Sequence, residues 1–510
     1  MPSAPIEPEK YSIDEMMERL KVAPSESQED GQLVTRADGS QAIKVRKRKR
    51  RSTQIQKEDV LQSRRSRILQ VSGALILIFI AALAVGAGII YANSSPFREK
   101  LVRDIGETSG ATVDLQQFRM NPKSANAAQL VLSWPQENAL EKLILTDLNA
   151  EVFPSSFLGK SLSGEEITAS HGRLHLQVPK TGDLITPRPI TTPESAIRFN
   201  RYRVRALDLT LGEEAAPAVS LIHSEGSLTP RNVNGRPQLS LYQGNLAISG
   251  WPKLRLDRAL IEFRGGEAEI IGMRILNEKD DRGSFELSGT ISPYRPQQPS
   301  SLAVSLDSFE LAGLIGPELG RLFSGRVDSL PIARSNYLSF APTKEPAPKL
   351  EIAFHAAPTS HVEVQGFPFL FALSQILEYQ WFERPIFEVN SSGSIHRESD
   401  SVSLRNLEFE SKGHLALRGD ISIAANHTLS GNLRVGVANG MIATAKNTKL
   451  RSIFGQPQDG FCWITLQIGG SASAPTDTFK ELFSAAVTSQ DAPTPVEKGE
   501  SSFDDLTRPR

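Results

Sequence analysis

Gly283–Ser292 reads GSFELSGTIS and Gly413–Ser422 reads GHLALRGDIS, and both fit one pattern, G-x-[FL]-x-L-x-G-x-I-S. Successive side chains of a strand point to opposite faces. In the first stretch Phe285, Leu287 and Ile291 therefore share one face, and Ser284, Glu286, Ser288 and Thr290 the other. In the second, Leu415, Leu417, Ile421 and Ile423 oppose His414, Arg418, Asp420 and Ser422. Each reads as a strand that is apolar on one side and wet on the other, the pattern of antiparallel pairing rather than of a parallel core buried on both faces. The glycines inside the pattern fit places where a sheet bends or bulges. A shorter relative, GNLAISG, occupies Gly244–Gly250.

Outward from these stretches, alternation with period two runs from Ala111 to about Gly470 and predicts strands throughout. RLHLQV at Arg173–Val178, VSLI at Val219–Ile222, LAVSL at Leu302–Leu306 and LRVGV at Leu433–Val437 are clear examples. The fold class is thus mainly β, with few helices. Candidates for one shared apolar face are Leu246, Ile248, Phe285, Leu287, Ile291, Leu415, Leu417, Ile421, Leu433, Val435, Val437, Ile464 and Leu466. Helical patterns occur only at Leu311–Phe323, Phe369–Phe382 and Asp477–Val487, too few to cover so many strands. The face must be closed by a second sheet, by a barrel, or by an open groove whose filling is not protein.

Ile68–Tyr91 reads ILQVSGALILIFIAALAVGAGIIY, an uncharged apolar run long enough to cross about 30 Å of hydrocarbon as a helix. Its length and distance from the N-terminus do not suit a cleaved signal peptide. Before it stand Lys44, Arg46, Lys47, Arg48, Lys49, Arg50, Arg51, Lys57, Arg64, Arg65 and Arg67 against only Glu58 and Asp59, whereas the far flank is mixed in sign. The positive-inside rule then makes residues 1–66 cytoplasmic and translocates everything beyond Asn93. KVRKRKRR also has the composition of a nuclear-localisation or nucleic-acid patch, but a span directly behind it accounts for the charge, and no nucleic-acid partner is expected. The run would rest on anionic headgroups, at about 1 kcal/mol per residue. Ala82 and Gly86, and Ala84 and Gly88, have the spacing of helix pairing in membranes.

Residues 1–66 are otherwise polar and read as mostly disordered. Within them Ser12–Lys21, SIDEMMERLK, carries a capping box at Ser12 and Glu15 and an apolar face of Ile13, Met16, Met17 and Leu20. This helix, over 12–22, is marginal alone; it either forms on a protein partner or is a transient solvated helix. After the span, Ser95 and Pro96 start a helix whose stripe is Phe97, Leu101 and Ile105, with Gly110 just past its end. The β-rich region covers 92–487, and 488–510 has the composition of a disordered tail.

In the order of its features the chain resembles the AsmA/TamB-like family of envelope-biogenesis proteins. The features are the anchor, the helix with its SGATVDL entry (Ser109–Leu115), the two patterned strands, and the closing GFCWITLQIGGSASAP (Gly460–Pro475) before a short helix. The likeness covers roughly Ile68–Val487. It implies an elongated, curved, antiparallel β-sheet groove, or taco-like sheet, anchored in the inner (cytoplasmic) membrane. The bulk would be periplasmic, with an apolar inner face that carries phospholipid acyl chains toward the outer membrane. The Phe97–Leu101–Ile105 helix would guide lipid into it. Two departures matter: the long segment before the anchor, and a β region short for a bridge at about 4.8 Å per strand. The chain would then need partners, or modulate rather than bridge. A tether or scaffold that moves no lipid is the alternative.

Catalytic chemistry is not legible. No Asp-x-Asp, GxSxG or HExxH occurs, and Gly159, Lys160 and Ser161 are half a phosphate loop whose first glycine is Pro154. His171 and His175 are spaced too widely on a strand for joint ligation. Cys462 stands alone, which excludes an internal disulfide and reads as a small buried residue. Asn93, Asn390 and Asn426 begin N-x-[ST] triplets that matter only in a secretory host. No enzyme activity and no cofactor are expected. The lipid reading predicts that a charge at Leu417 or Phe285 abolishes function while surface charges are tolerated.

Overall fold

The computed structural model describes residues 33–35, 37–43, 79–80, 83 and 86–491, with breaks at 136–139, 154–155, 157–161, 178–196, 265–266, 293–298, 332–335, 341–347 and 389–390. The expected helix over 12–22, the basic run 44–67, much of the apolar run 68–91 and the tail beyond 491 lie outside the described residues. Among the described residues no helix is long and apolar enough to cross a membrane. The chain divides into two units, Met1–Ile80 and Ala81–Arg510.

The first unit holds an antiparallel hairpin that the sequence did not announce, β1 (Leu33–Thr35) with β2 (Gln41–Ile43). Its turn is made by Gly39 at φ +85° and by Asp38, whose carboxylate accepts from the Ser40 hydroxyl at 2.8 Å and backbone N–H at 3.3 Å.

The second unit begins with helical residues 86–92 and a helix α1 (Ser95–Ser109). Ser94 rather than Ser95 is its N-cap, and Gly110 closes it at φ +69° as its N–H reaches the Gly106 carbonyl. The expected stripe packs on protein. Leu101 is buried, Phe97 stacks on Phe118, and the Trp134 indole N–H donates to the Ser109 carbonyl at 2.9 Å. The helix is therefore seated on its own sheet through Leu101, while Phe97 and Ile105 are half-buried.

The first strands are β3 (Thr112–Gln116), β4 (Arg119–Met120), β5 (Ser124–Ser133), β6 (Leu140–Val152), β7 (Leu162–Leu176), β8 (Ile197–Glu213), β9 (Ala216–Thr229), β10 (Gln238–Tyr242), β11 (Asn245–Ile248), β12 (Leu254–Arg264), β13 (Glu267–Asn277), β14 (Ser284–Ile291), β15 (Ser300–Asp307) and β16 (Phe309–Glu310). Helix α2 (Ala312–Leu319) precedes β17 (Phe323–Ser329), β18 (Tyr337–Phe340), β19 (Lys349–Ala356) and β20 (Val362–Val364). Helix α3 (Pro368–Leu377) and a 3₁₀ turn (Gln380–Glu383) lead to β21 (Ile386–Phe387), β22 (Ser392–Glu398), β23 (Ser401–Ser411), β24 (Leu415–Ile423) and β25 (Leu429–Ala438). Two short helices, α4 (Asn439–Thr444) and α5 (Thr448–Ile453), then β26 (Phe461–Ser471), β27 (Ala474–Asp477) and α6 (Phe479–Asp491) complete it.

Strands pair in near-sequential order, so the mainly β expectation holds. β3 and β4 pair with β5, and the ladder runs through β6, β7, β8 and β9 to β10 and β11, then β12 to β15. From β15 it passes to β18, β19 and β22, and on to β27. Pairings close into a ring only locally, where β9 and β12 both hold β10 and β11. β3 pairs with β5 and β27 with β26, and no described pairing joins those two ends. One pair corrects the antiparallel expectation. β7 and β8 run parallel from Leu162↔Ile197 to Leu176↔Leu211, because the chain returns to the same end of the sheet before β8 starts.

The glycines of the opening pattern sit at bulges. Gly289 (φ +138°) and Gly419 (φ +136°) lie beside register shifts in β13, between Ile270 and Met273, and in β23, between Leu404 and Leu407. A recurring clamp holds left-handed residues along the sheet, at bulges and at one strand end. His223 (φ +60°), Ser308 (φ +47°) and Asn406 (φ +52°) donate their backbone N–H to Asp208, Asp328 and Asp420 on the neighbouring strand, at 2.9, 2.6 and 2.7 Å. Each carboxylate takes the hydrogen bond that a left-handed residue turns away from the ladder, and the bulge keeps apolar side chains on one face across the twist.

Gly419→Ala would bring Cβ to 2.1 Å from the Asn432 carbonyl oxygen, whereas a Cβ at Gly272 meets nothing within 4 Å. Urea unfolding is expected to show Gly419→Ala losing about 2–4 kcal/mol, Asp420→Ala about 1–2, and Gly272→Ala less than about 1. Equal losses would contradict the bulge account.

Candidate functional site

Cross-strand register converts the alternation into one surface. Val113 and Leu115 of β3 face Leu132 and Leu130 of β5, which face Leu143 and Leu145 of β6. Leu143 faces Leu174 of β7, and Leu174 and Leu176 face Leu209 and Leu211 of β8. Those face Leu221 and Val219 of β9, which face Leu246 and Ile248 of β11. Directly opposed residues share a face, so the ladder is continuous over these seven strands. It goes on through Leu256, Ile275, Phe285 and Leu306.

The two halves of this face are covered differently. From β12 onward protein fills it: Leu311, Leu314, Ile315 and Leu319 around α2, Phe369, Leu370 and Leu373 of α3, Ile442, Leu450 and Phe479 all belong to the main core. Leu350, Ile352, Phe354, Ile395, Leu404, Leu415 and Leu466 are 0% exposed. Between β3 and β9, by contrast, Val113, Leu115, Leu130, Leu143, Leu145, Leu174, Leu176, Leu209, Leu211 and Val219 are only half-buried. Leu132 and Leu221 alone among these pairs are fully buried.

Every residue proposed for the apolar face from sequence lies in the main core or packs against it. Leu417 and Phe285 are each 1% exposed and touch protein on all sides. They are packing residues, and the half-bare positions are earlier in the chain. Two placements depart from strict alternation. Ser284 is buried at 2%, and Ala416 on the far face is covered by Trp463, with Arg418 and Arg434 stacked on its ring at 4.9 and 4.7 Å.

Sequence reading missed Arg397. Its guanidinium is buried among α2, the β11–β12 turn and β22, donates to the Leu314 carbonyl at 2.8 Å and to Gly250, and lies over the Trp251 ring at 5.3 Å. Burial lowers its pKa to about 10, against the pull of Asp400. Asp477 was also missed. It accepts from the backbone N–H of Phe369 at 2.7 Å and of Phe479 at 3.0 Å, so one carboxylate caps the starts of α3 and α6. No local pattern could announce either, since Leu314 and Gly250 lie 83 and 147 residues from Arg397.

Polar chemistry gathers on two adjoining clefts of about 1010 and 580 Å³ that share Asp281. Their charges are spent on one another: Arg326 with Asp280, Arg255 with Asp281 at 3.0 Å, Arg274 with Asp257 at 3.9 Å. That is a solvated ion-pair surface. Among the described residues no three His, Cys, Asp or Glu side chains converge as metal ligands. His171 is exposed, while His175 bonds Thr210 at 2.7 Å and Glu141 at 3.0 Å. Cys462 is 4% exposed, and burial pushes its thiol up. Asn93 is engaged through both ends of its carboxamide, by the Met120 backbone at 2.8 Å on each arm.

No family model matches the chain, and no curated protein matches it.

Leu417→Asp places a charge in a closed core and is expected to lose at least about 3 kcal/mol, with loss of folded protein. Leu145→Asp, on the half-bare face, is expected to cost less than about 1 kcal/mol in urea unfolding of the full chain. Equal costs would show that the face is as closed at β6 as at β24.

Proposed function

We propose that this chain is a membrane-anchored lipid-handling protein of the AsmA/TamB-like kind, whose β3–β9 face holds phospholipid acyl chains outside the cytoplasm. The observation that carries the reading is the unbroken apolar ladder from Val113 to Val219, half-exposed where the rest of the same face is covered by helices. Five strand spacings of about 4.8 Å give it a width of roughly 24 Å. Each methylene moved from water onto such a surface gains about 0.8 kcal/mol, so about ten seated methylenes reach roughly 8 kcal/mol, of order micromolar affinity before ordering costs. The apolar run 68–91 supports a ladder held beside a membrane, and its basic flank supports the non-cytoplasmic side of the inner membrane. The elongated, taco-like groove belongs to this proposal, and so does envelope biogenesis. No residue acts as a catalyst in it.

Two measurements on the full chain test the reading. Mass spectrometry of protein purified with native lipid should find co-purifying phospholipid. A photoreactive side chain in place of Leu145 should cross-link acyl chains many-fold more than one in place of exposed Arg173, which faces the opposite side. Equal or absent cross-linking would leave the non-transporting tether as the better reading.

A further inference from the structure

The end of the apolar run is fixed to the sheet within a few residues. Ala92 is 3% exposed and packs with Met120, Ala125, Ala150, Val152, Leu162 and Phe199, residues drawn from one end of β4, β5, β6, β7 and β8. Asn93 then pairs both arms of its carboxamide with the Met120 peptide while also donating to the Ile89 carbonyl at 2.8 Å. Tyr91 is the last residue of the apolar run, and two residues span at most about 7 Å. Whatever surface residues 68–91 emerge from, the Met120 end of these strands lies against it. That end carries interfacial chemistry: Phe153 is 41% exposed, Arg119 is exposed in β4, and Lys123 is exposed on the turn that follows it. Aromatic rings and basic side chains together suit the headgroup layer.

We propose that Arg119, Lys123 and Phe153 form a foot that stands on the phospholipid surface holding residues 68–91, with β5 to β8 rising from it. The foot meets lipid phosphates through the two cations and the glycerol region through the phenyl ring. The apolar ladder then starts above a leaflet instead of facing open solvent. This inference rests on the anchored reading, but it does not need acyl chains on the ladder.

Single cysteines carrying nitroxide labels test it, placed by Lys123→Cys, Phe153→Cys or Glu213→Cys in a full-length Cys462→Ser background. Glu213 ends the 17-residue β8, roughly 50 Å along the strand from the foot. The chain is reconstituted in vesicles of phosphatidylcholine and phosphatidylglycerol that include a nickel-chelating headgroup lipid. Relaxation enhancement is expected to be several-fold greater at 123 and 153 than at 213. Adding Asn93→Ala should reduce the enhancement at 123 and 153 while the circular dichroism spectrum stays unchanged. Equal enhancement at all three positions, high or low, overturns the standing geometry, and so does enhancement greatest at 213. Cross-linking at Leu145 reports on the ladder separately: a foot that contacts lipid while the ladder cross-links nothing would sink the lipid-handling reading and spare this one.

Discussion

Leu132, Leu143, Leu174 and Leu209 stand in register across four strands, and the fold depends on what that kind of register demands. A sheet with one apolar face must bury it strand by strand. The chain answers differently along its length. After β12, loops between strands grow into α2, α3, α4, α5 and α6, and their side chains fill the face until residues such as Phe354 and Leu404 are 0% exposed. Between β3 and β10 the described residues form no α-helix, and α1 before them seals the foot of the sheet and not the ladder. The same apolar alternation is thus a core in one half and a half-bare surface in the other.

The covered half is held by long-range polar contacts. Arg397 ties a strand to a helix and to a turn that are distant in sequence, and Asp477 joins the starts of two helices. Arg397 is buried and Asp477 half-buried against buried backbone, so removing one side leaves the other unsatisfied. Bulge clamps do a related task along the sheet. Asp208, Asp328 and Asp420 each satisfy a left-handed residue on the next strand, so the sheet twists without turning its leucines to solvent.

Period two made the strands legible from Ala111 onward, and with them the mainly β class, the bulge-prone glycines and the three helical segments near 311, 369 and 477. The start of α1 was legible to within one residue, through Pro96 and Gly110. What escaped was whatever depends on pairing at a distance. The parallel β7–β8 pair follows from which end of the sheet the chain re-enters, and no residue within either strand encodes that. The hairpin at Leu33–Ile43 is short and polar, without an apolar alternation to mark it. Most of all, alternation alone cannot say whether an apolar position is covered. Leu417 and Leu145 look alike in sequence, yet one is closed off by protein and the other is not, because the covering helices come from loops far from both.

The central claim is that the ladder between β3 and β9 is completed by acyl chains. Leucine methyl labelling of the full chain in deuterated detergent, with protonated phospholipid added, reads it directly. Nuclear Overhauser effects from lipid methylenes to Leu130, Leu145 and Leu174, with none to Leu350 or Leu404, are the expected result. Lipid contacts absent from all five leucines would contradict the account.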